Sequence, residues 1–402
     1  MMVMLVRFVH AFRITLRDSG LPRILQSLRD GRSAGSRMLV LVLPLAVLAA
    51  PGSTAAEPER VWCSSGWQIV TRQSEVAGVA PGCNAFRGDI LLEGAAGRSF
   101  DHLTQLEYLE GSLSLVRVPG NDALRPLANL REVSGNLTIE SLPDLTEMVG
   151  LSRLRTVGNR LILRNNPALE SLDGLVGLAS VGGLDIRGNS TLIDIKGLSN
   201  LTSVEKILIT FNDRLESLDG LEHISQLPLF LELVGNAALR NIDALASLHS
   251  VGGYLYIAKN ASLQNLRGLA SLTASGDLVI EANPALVELG GLSRLEEVNG
   301  LLRVERNDEL ASLAGLTALK KISEYLYVGR NSKLASIDFL YGLGSVGADL
   351  TIVSNRKLSL CDLRKPAPKT GTSDQAGGSG PAGPRIGGVV TVADNKPGCS
   401  DS

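Results

Sequence analysis

The chain repeats nearly the same phrase every 23 or 24 residues, as in VGGLDIRGNSTL at 181–192 and VGGYLYIAKNASL at 251–263. A fixed period of that length marks a solenoid, because one such unit buries its apolar face only against its neighbours. With the asparagine as reference, equivalent positions are Ala95, Val118, Leu142, Asn166, Asn189, Asn212, Asn236, Asn260, Asn283, Asn307, Asn331 and Asn355. Five and three residues earlier every repeat is apolar, for example Leu184 and Ile186, or Leu255 and Ile257. This alternation is the mark of a half-buried strand. After the reference, apolar residues return at every third position, as in Leu169, Leu172, Leu175, Leu178 and Val181. That spacing suits short 3₁₀-like turns and tight corners.

Each repeat is therefore one coil. With VVTVADN at 389–395 supplying the last strand, twelve to thirteen coils are predicted to share one parallel sheet about 60 Å long at about 4.8 Å per strand. The asparagines are expected to face inward at a bend, where the amide can bond unpaired backbone groups and the next coil's asparagine. Glycines seven residues upstream, such as Gly111, Gly135, Gly253, Gly276 and Gly300, are expected to permit the preceding corner.

The pattern is similar to leucine-rich repeats, but NSTL, NPAL and NDEL place two residues between Asn and Leu, where the usual repeat has one. With GNLTI at 135–139, SLDGL at 171–175 and 217–221, and the opening GCNAFRGDILLEG at 82–94, the chain resembles the receptor L domain family. That family occurs in insulin and epidermal growth factor receptor ectodomains, fungal cell-wall glycoproteins and secreted bacterial proteins. The resemblance covers about 83–399 and implies a right-handed, leucine-rich-repeat-like solenoid, α/β to mainly β. This chain has more coils than one receptor L domain. It also lacks the cysteine-rich modules, membrane helix and kinase of the receptors, so receptor-kinase signalling is not implied.

The ends carry other signals. MLVLVLPLAVLAA at 38–50 follows Arg32 and Arg37 and precedes Thr54 and Ala56, a cleavage pattern for a leader spanning 1–56. The apolar run is shorter than the ~20 residues of a membrane-spanning helix, so no span is expected in the mature form. Residues 57–87, with Trp62 and Trp67, read as an N-terminal cap, 88–360 as the solenoid, and 361–402 as a C-terminal cap. The last includes a Pro/Gly/Ser-rich stretch at 365–385 that is expected to be mobile. Four cysteines allow three pairings, and chain proximity favours Cys63 with Cys83 and Cys361 with Cys399. Disulfides at both ends suit an exported protein, at the cell surface, outside the cell or in a periplasm.

Of the 39 basic and 41 acidic side chains, the leader holds seven and two, which leaves 32 against 39 and a net charge of −7. Such a surface does not favour nucleic acid, whose binding depends on neutralising phosphate. No paired catalytic carboxylates, Ser/His/Asp set or phosphate loop is recognisable, so neither catalysis nor a cofactor is expected. Asp173, Asp219, Asp243 and Asp338 recur at one place in the coil; turn chemistry, Asp bonding its own backbone at a bend, accounts for them without a metal.

Recognition is the stronger reading. Residues six, four and two before the reference point away from the core: Phe230, Glu232 and Val234; Tyr254, Tyr256 and Ala258; Asp277, Val279 and Glu281; Leu301, Arg303 and Glu305; Tyr325, Tyr327 and Gly329. Tyrosine with arginine offers large amphipathic area and few rotamers to freeze. Phe230, Glu232, Tyr254, Tyr256, Arg303, Tyr325 and Tyr327 are thus candidate contacts for a protein or glycan ligand. The competing reading is a rigid envelope or matrix component with no specific ligand. A second patch, Arg160, Arg164, Arg187 and Lys206, is either a seat for an acidic ligand or solvated charge. Of four N-x-S/T sequons, at Asn136, Asn189, Asn200 and Asn260, the second and fourth fall on reference asparagines and should be buried.

Overall fold

The computed structural model describes residues 59–63, 82–94, 101–359 and 383–396. The leader, Trp67, the stretch 365–382 and the expected Cys361–Cys399 pairing lie outside them. Thirteen strands, from Ile90–Glu93 to Val390–Ala393, pair in parallel with each residue opposite its counterpart in the next coil. Leu231, Leu255, Leu278, Leu302 and Leu326 accordingly form one column, each with 0% of its surface exposed. Burying each such side chain stabilises by about 1.5–3 kcal/mol before chain entropy is set against it. This is a leucine-rich-repeat-like parallel β-solenoid. It lies at the mainly β end of the expected range: among the described residues there is no α-helix, and the corners are 3₁₀ turns such as Lys196–Leu198, Asp243–Leu245 and Arg267–Leu269.

Two features add to the single strand per coil expected from periodicity. A second, shorter parallel ladder precedes the first, as in Glu297–Val298, Lys321–Ile322 and Ser345–Val346. In Ser250–Ala258 and Ala274–Glu281 the two merge, with a register shift between Val251 and Tyr254. The residue before each reference position is also left-handed. Ten of these residues are not glycine, from Arg117 to Asp394, with φ between 52° and 59°. Left-handed backbone costs an L-residue about 1–2 kcal/mol, so this bend is held by its surroundings.

Those surroundings are the asparagines. Asn260 Oδ1 accepts from the backbone N–H of Asn236 at 3.1 Å and from Asn236 Nδ2 at 3.4 Å. Asn260 Nδ2 in turn donates to the Leu233 carbonyl at 2.9 Å and to Asn283 Oδ1 at 3.3 Å. All four bonding positions of the amide are used. The pattern recurs from Asn166 to Asn355 and ends on Asn395. Val118 and Leu142 occupy the same column upstream and are buried without an amide. Asn189 and Asn260 are fully buried, which closes those two sequons to modification.

At the far corner, the backbone N–H of Asp173, Asp219 and Asp338 donates to a serine hydroxyl two residues earlier, and that of Asp243 to the Asn241 side chain. The bend is therefore capped by the residue two before the recurring aspartate, which corrects the expectation that the aspartate caps itself. After Asp173 and Asp219 a glycine allows coils to touch: a Cβ on Gly174 would lie 1.9 Å from the Met148 carbonyl oxygen.

The described part of the N-terminal cap works by extension. Trp62 bridges Ala85 in parallel, continuing the shorter ladder by one rung, and Cys63–Cys83 closes beside it with Cα atoms 5.1 Å apart. Trp62 stays 43% exposed, with Arg87 4.8 Å over its ring.

Replacing Asn260 with Ala should lower the unfolding free energy by about 2–4 kcal/mol, since it orphans a buried N–H and a buried C=O. Asn395→Ala, at the half-buried end of the ladder, should cost clearly less; equal denaturation midpoints for the two variants would contradict the ladder's role. Conversely, Lys259→Gly should raise stability by about 0.5–1 kcal/mol by relieving left-handed strain, read as a higher urea midpoint. A lower midpoint would show that the lysine side chain matters more than its backbone.

Candidate functional site

In-register pairing turns the outward positions into rows. Four residues before the reference run Leu208, Glu232, Tyr256, Val279, Arg303, Tyr327 and Thr351; six before run Lys206, Phe230, Tyr254 and Asp277. Phe230, Glu232, Tyr254, Tyr256, Arg303 and Tyr327 are each half-buried, and Tyr325 is 39% exposed. All seven candidate residues therefore lie on the same sheet face.

They form two groups. In the first, the Phe230 and Tyr254 rings stack at 4.6 Å and 7°, and the Tyr254 hydroxyl donates to Glu232 Oε2 at 3.2 Å. Tyr256 sits beside Glu232 in the same row. Burial, then the charge of Glu232 and its hydrogen bond, push the Tyr254 phenol well above the ordinary tyrosine range. Tyr256 is raised by burial first, then by Glu281 and Glu232, with Arg303 opposing. In the second group, the Arg303 guanidinium lies 5.2 Å over the Tyr327 ring and bonds Glu305. The two groups are three coil steps apart, about 14 Å along the sheet.

Positions two before the reference depart from expectation. Val234, Ala258, Gly329 and Glu305 are buried. The chain bends left-handed immediately after them, and neighbouring side chains fold across: Tyr327 lies so close over Gly329 that a Cβ there would stand 2.7 Å from the ring. Glu305, with 0% exposure, is bonded by Arg303 and Arg330 and has Arg306 Nε at 3.8 Å. A buried carboxylate needs such partners. Asp277 is structural as well, because its Oδ1 accepts the Leu301 N–H at 3.0 Å.

The basic patch also changes character. Arg164 bonds Asp185, which is 1% exposed on that same face, and Arg187 Nε lies 3.8 Å from its other oxygen. The hydrogen bond to Asp185 holds the Arg164 guanidinium above its ordinary value. The stems of Lys206 and Arg160 pack over Gly183. Part of the positive charge is therefore compensated from within. Sequence reading missed Asp185 and Glu305 because outward parity marks them as solvent-facing. The signal was present in RVERN, where an acid stands between basic residues.

Among the described residues, no group of three His, Cys, Asp or Glu could hold a metal, and no helix is long and apolar enough to cross a membrane. No family model matches the chain. No curated protein matches it either. Among solved structures it is similar to an internalin (inlF) from Listeria monocytogenes, at 17% identity and a TM-score of 0.37 over 67% of this chain and 85% of that one. The TLR13 chain of a complex with ssRNA13 gives 15% identity and a TM-score of 0.18, over 66% of this chain and 56% of that one.

In an alkaline ultraviolet titration, Tyr254 and Tyr256 should form phenolate later than an ordinary tyrosine. Their raised folded-state values stabilise the fold below the ordinary tyrosine range, and that contribution is lost as pH climbs through the folded values. Glu232→Gln should bring Tyr254 down only in part, because burial is the larger cause. A full return to the free-tyrosine value would contradict this burial.

Proposed function

We propose that the chain is an exported, non-catalytic recognition protein that binds a protein or glycan ligand through the outward face of its sheet. The observation that carries this reading is the register, which places Phe230, Tyr254, Tyr256 and Tyr327, half-buried and so already partly ordered, on one face with Glu232 and Arg303. Pre-ordered aromatic area lowers the entropy lost on binding. A rigid solenoid is also suited to holding such residues at fixed separations. The Cys63–Cys83 disulfide supports an oxidising compartment outside the cytosol. The two-residue spacing between Asn and Leu, with the cysteine ahead of the first strand, supports a place among secreted receptor L domains.

Substituting Tyr254, Tyr256 and Tyr327 together with Ser tests the reading. Capture of the native cell-surface ligand by cross-linking and pull-down should be lost, while the far-ultraviolet spectrum and melting temperature stay close to wild type. Undiminished capture by the well-folded variant would favour a rod without a specific ligand.

A further inference from the structure

Resting on that reading, we propose that Glu232, Tyr254 and Tyr256 form a receptor for a cationic side chain, arginine or lysine, presented by a protein partner. The face already contains a filled version of such a site. At Tyr327, ring, guanidinium and carboxylate all come from the chain itself, with Arg303 over the ring and bonded to Glu305. Three coils earlier in the same row the ring recurs as Tyr256, and the position that Arg303 holds beside Tyr327 is taken there by a carboxylate, Glu232. No guanidinium of the chain pairs with this carboxylate: among the described residues Glu232 takes part in no ion pair, and its polar contact is the Tyr254 hydroxyl at 3.2 Å.

The residue types around this point determine what fits. The position next to Tyr256 in the row is Val279, and the position before Glu232 is Leu208. Both are apolar and suit the methylene stem of a long side chain. Glu281, which pairs with Arg306 at 3.2 Å, and Glu232 both act on Tyr256 ahead of Arg303, which opposes them, so the negative charges outweigh the positive one at this ring. A cation over a half-desolvated ring is held by the ring quadrupole, and more firmly when a carboxylate is within reach. A neutral sugar could stack on the rings but would leave the carboxylate charge unanswered. An acidic partner would be repelled.

Fluorescence polarisation of a labelled oligoarginine peptide tests the assignment, with a labelled oligocitrulline of equal length as the uncharged counterpart and a labelled chitooligosaccharide as the glycan. Oligoarginine should bind wild type with an affinity that falls as salt rises. Glu232→Gln should weaken it by about tenfold. Glu170→Gln, an exposed carboxylate outside the strands, controls for general attraction to an acidic protein and should leave it unchanged. Glu232→Lys should abolish binding while melting at the wild-type temperature, which separates charge reversal from misfolding. Equal affinity for wild type and Glu232→Gln, or equal binding of oligocitrulline, overturns the cationic receptor. So does a chitooligosaccharide signal that depends on Tyr256 when oligoarginine binding does not. If native-ligand capture is still lost in the triple serine variant, the broader recognition face survives that result; if capture is also indifferent, both readings fall.

Discussion

Each coil reverses direction at a point where its backbone would otherwise be left unpaired inside the protein, and one amide resolves that. A buried N–H or C=O without a partner costs about 1–3 kcal/mol, and the bend before each reference position is left-handed, a further cost for most residues. The asparagine amide accepts two hydrogens from the coil before it, donates to a strand carbonyl of that coil, and donates again to the coil after it. No other neutral side chain except glutamine has that set of groups, and glutamine is one methylene longer. The leucine columns provide most of the stabilisation, but they are non-directional. The amide ladder specifies the register in which they stack.

Register is what links fold to function here. A slip of one residue would turn every strand over, moving Tyr254 and Tyr256 inward and Leu255 outward. With the ladder in place, residues widely separated in sequence become neighbours at one strand spacing: Glu232 beside Tyr256, Arg303 beside Tyr327. The face also compensates charge. Glu305 and Asp185 are buried on it and held by arginines, so the polar groups left to meet a ligand are fewer than the sequence suggests.

The core, the strand positions, the inward asparagines and the Cys63–Cys83 bond were legible in the sequence because each follows from a repeated spacing or from chain proximity. The left-handed position was not, since Arg117, Ser141, Phe211, Lys259 and Ala282 share no chemistry there; the conformation is imposed by the neighbouring coil rather than by local propensity. Glu305 and Asp185 were missed for a related reason. Parity along a strand tells which face a side chain leaves from, while its burial depends on what leans across from the next coil. The seven candidate residues were legible as one face, but their division into an arginine-filled group and a group without arginine required the ring and carboxylate geometry.

Residue-resolved hydrogen exchange tests the physical basis of this account most directly. If the amide ladder orders the stack, the backbone N–H groups of Asn212 through Asn331 should be among the most slowly exchanging in the protein, with protection declining toward Asn166 and Asn355. Rapid exchange along that column, with protected leucine strands on either side, would mean that apolar packing alone sets the register and that the asparagines are incidental to it.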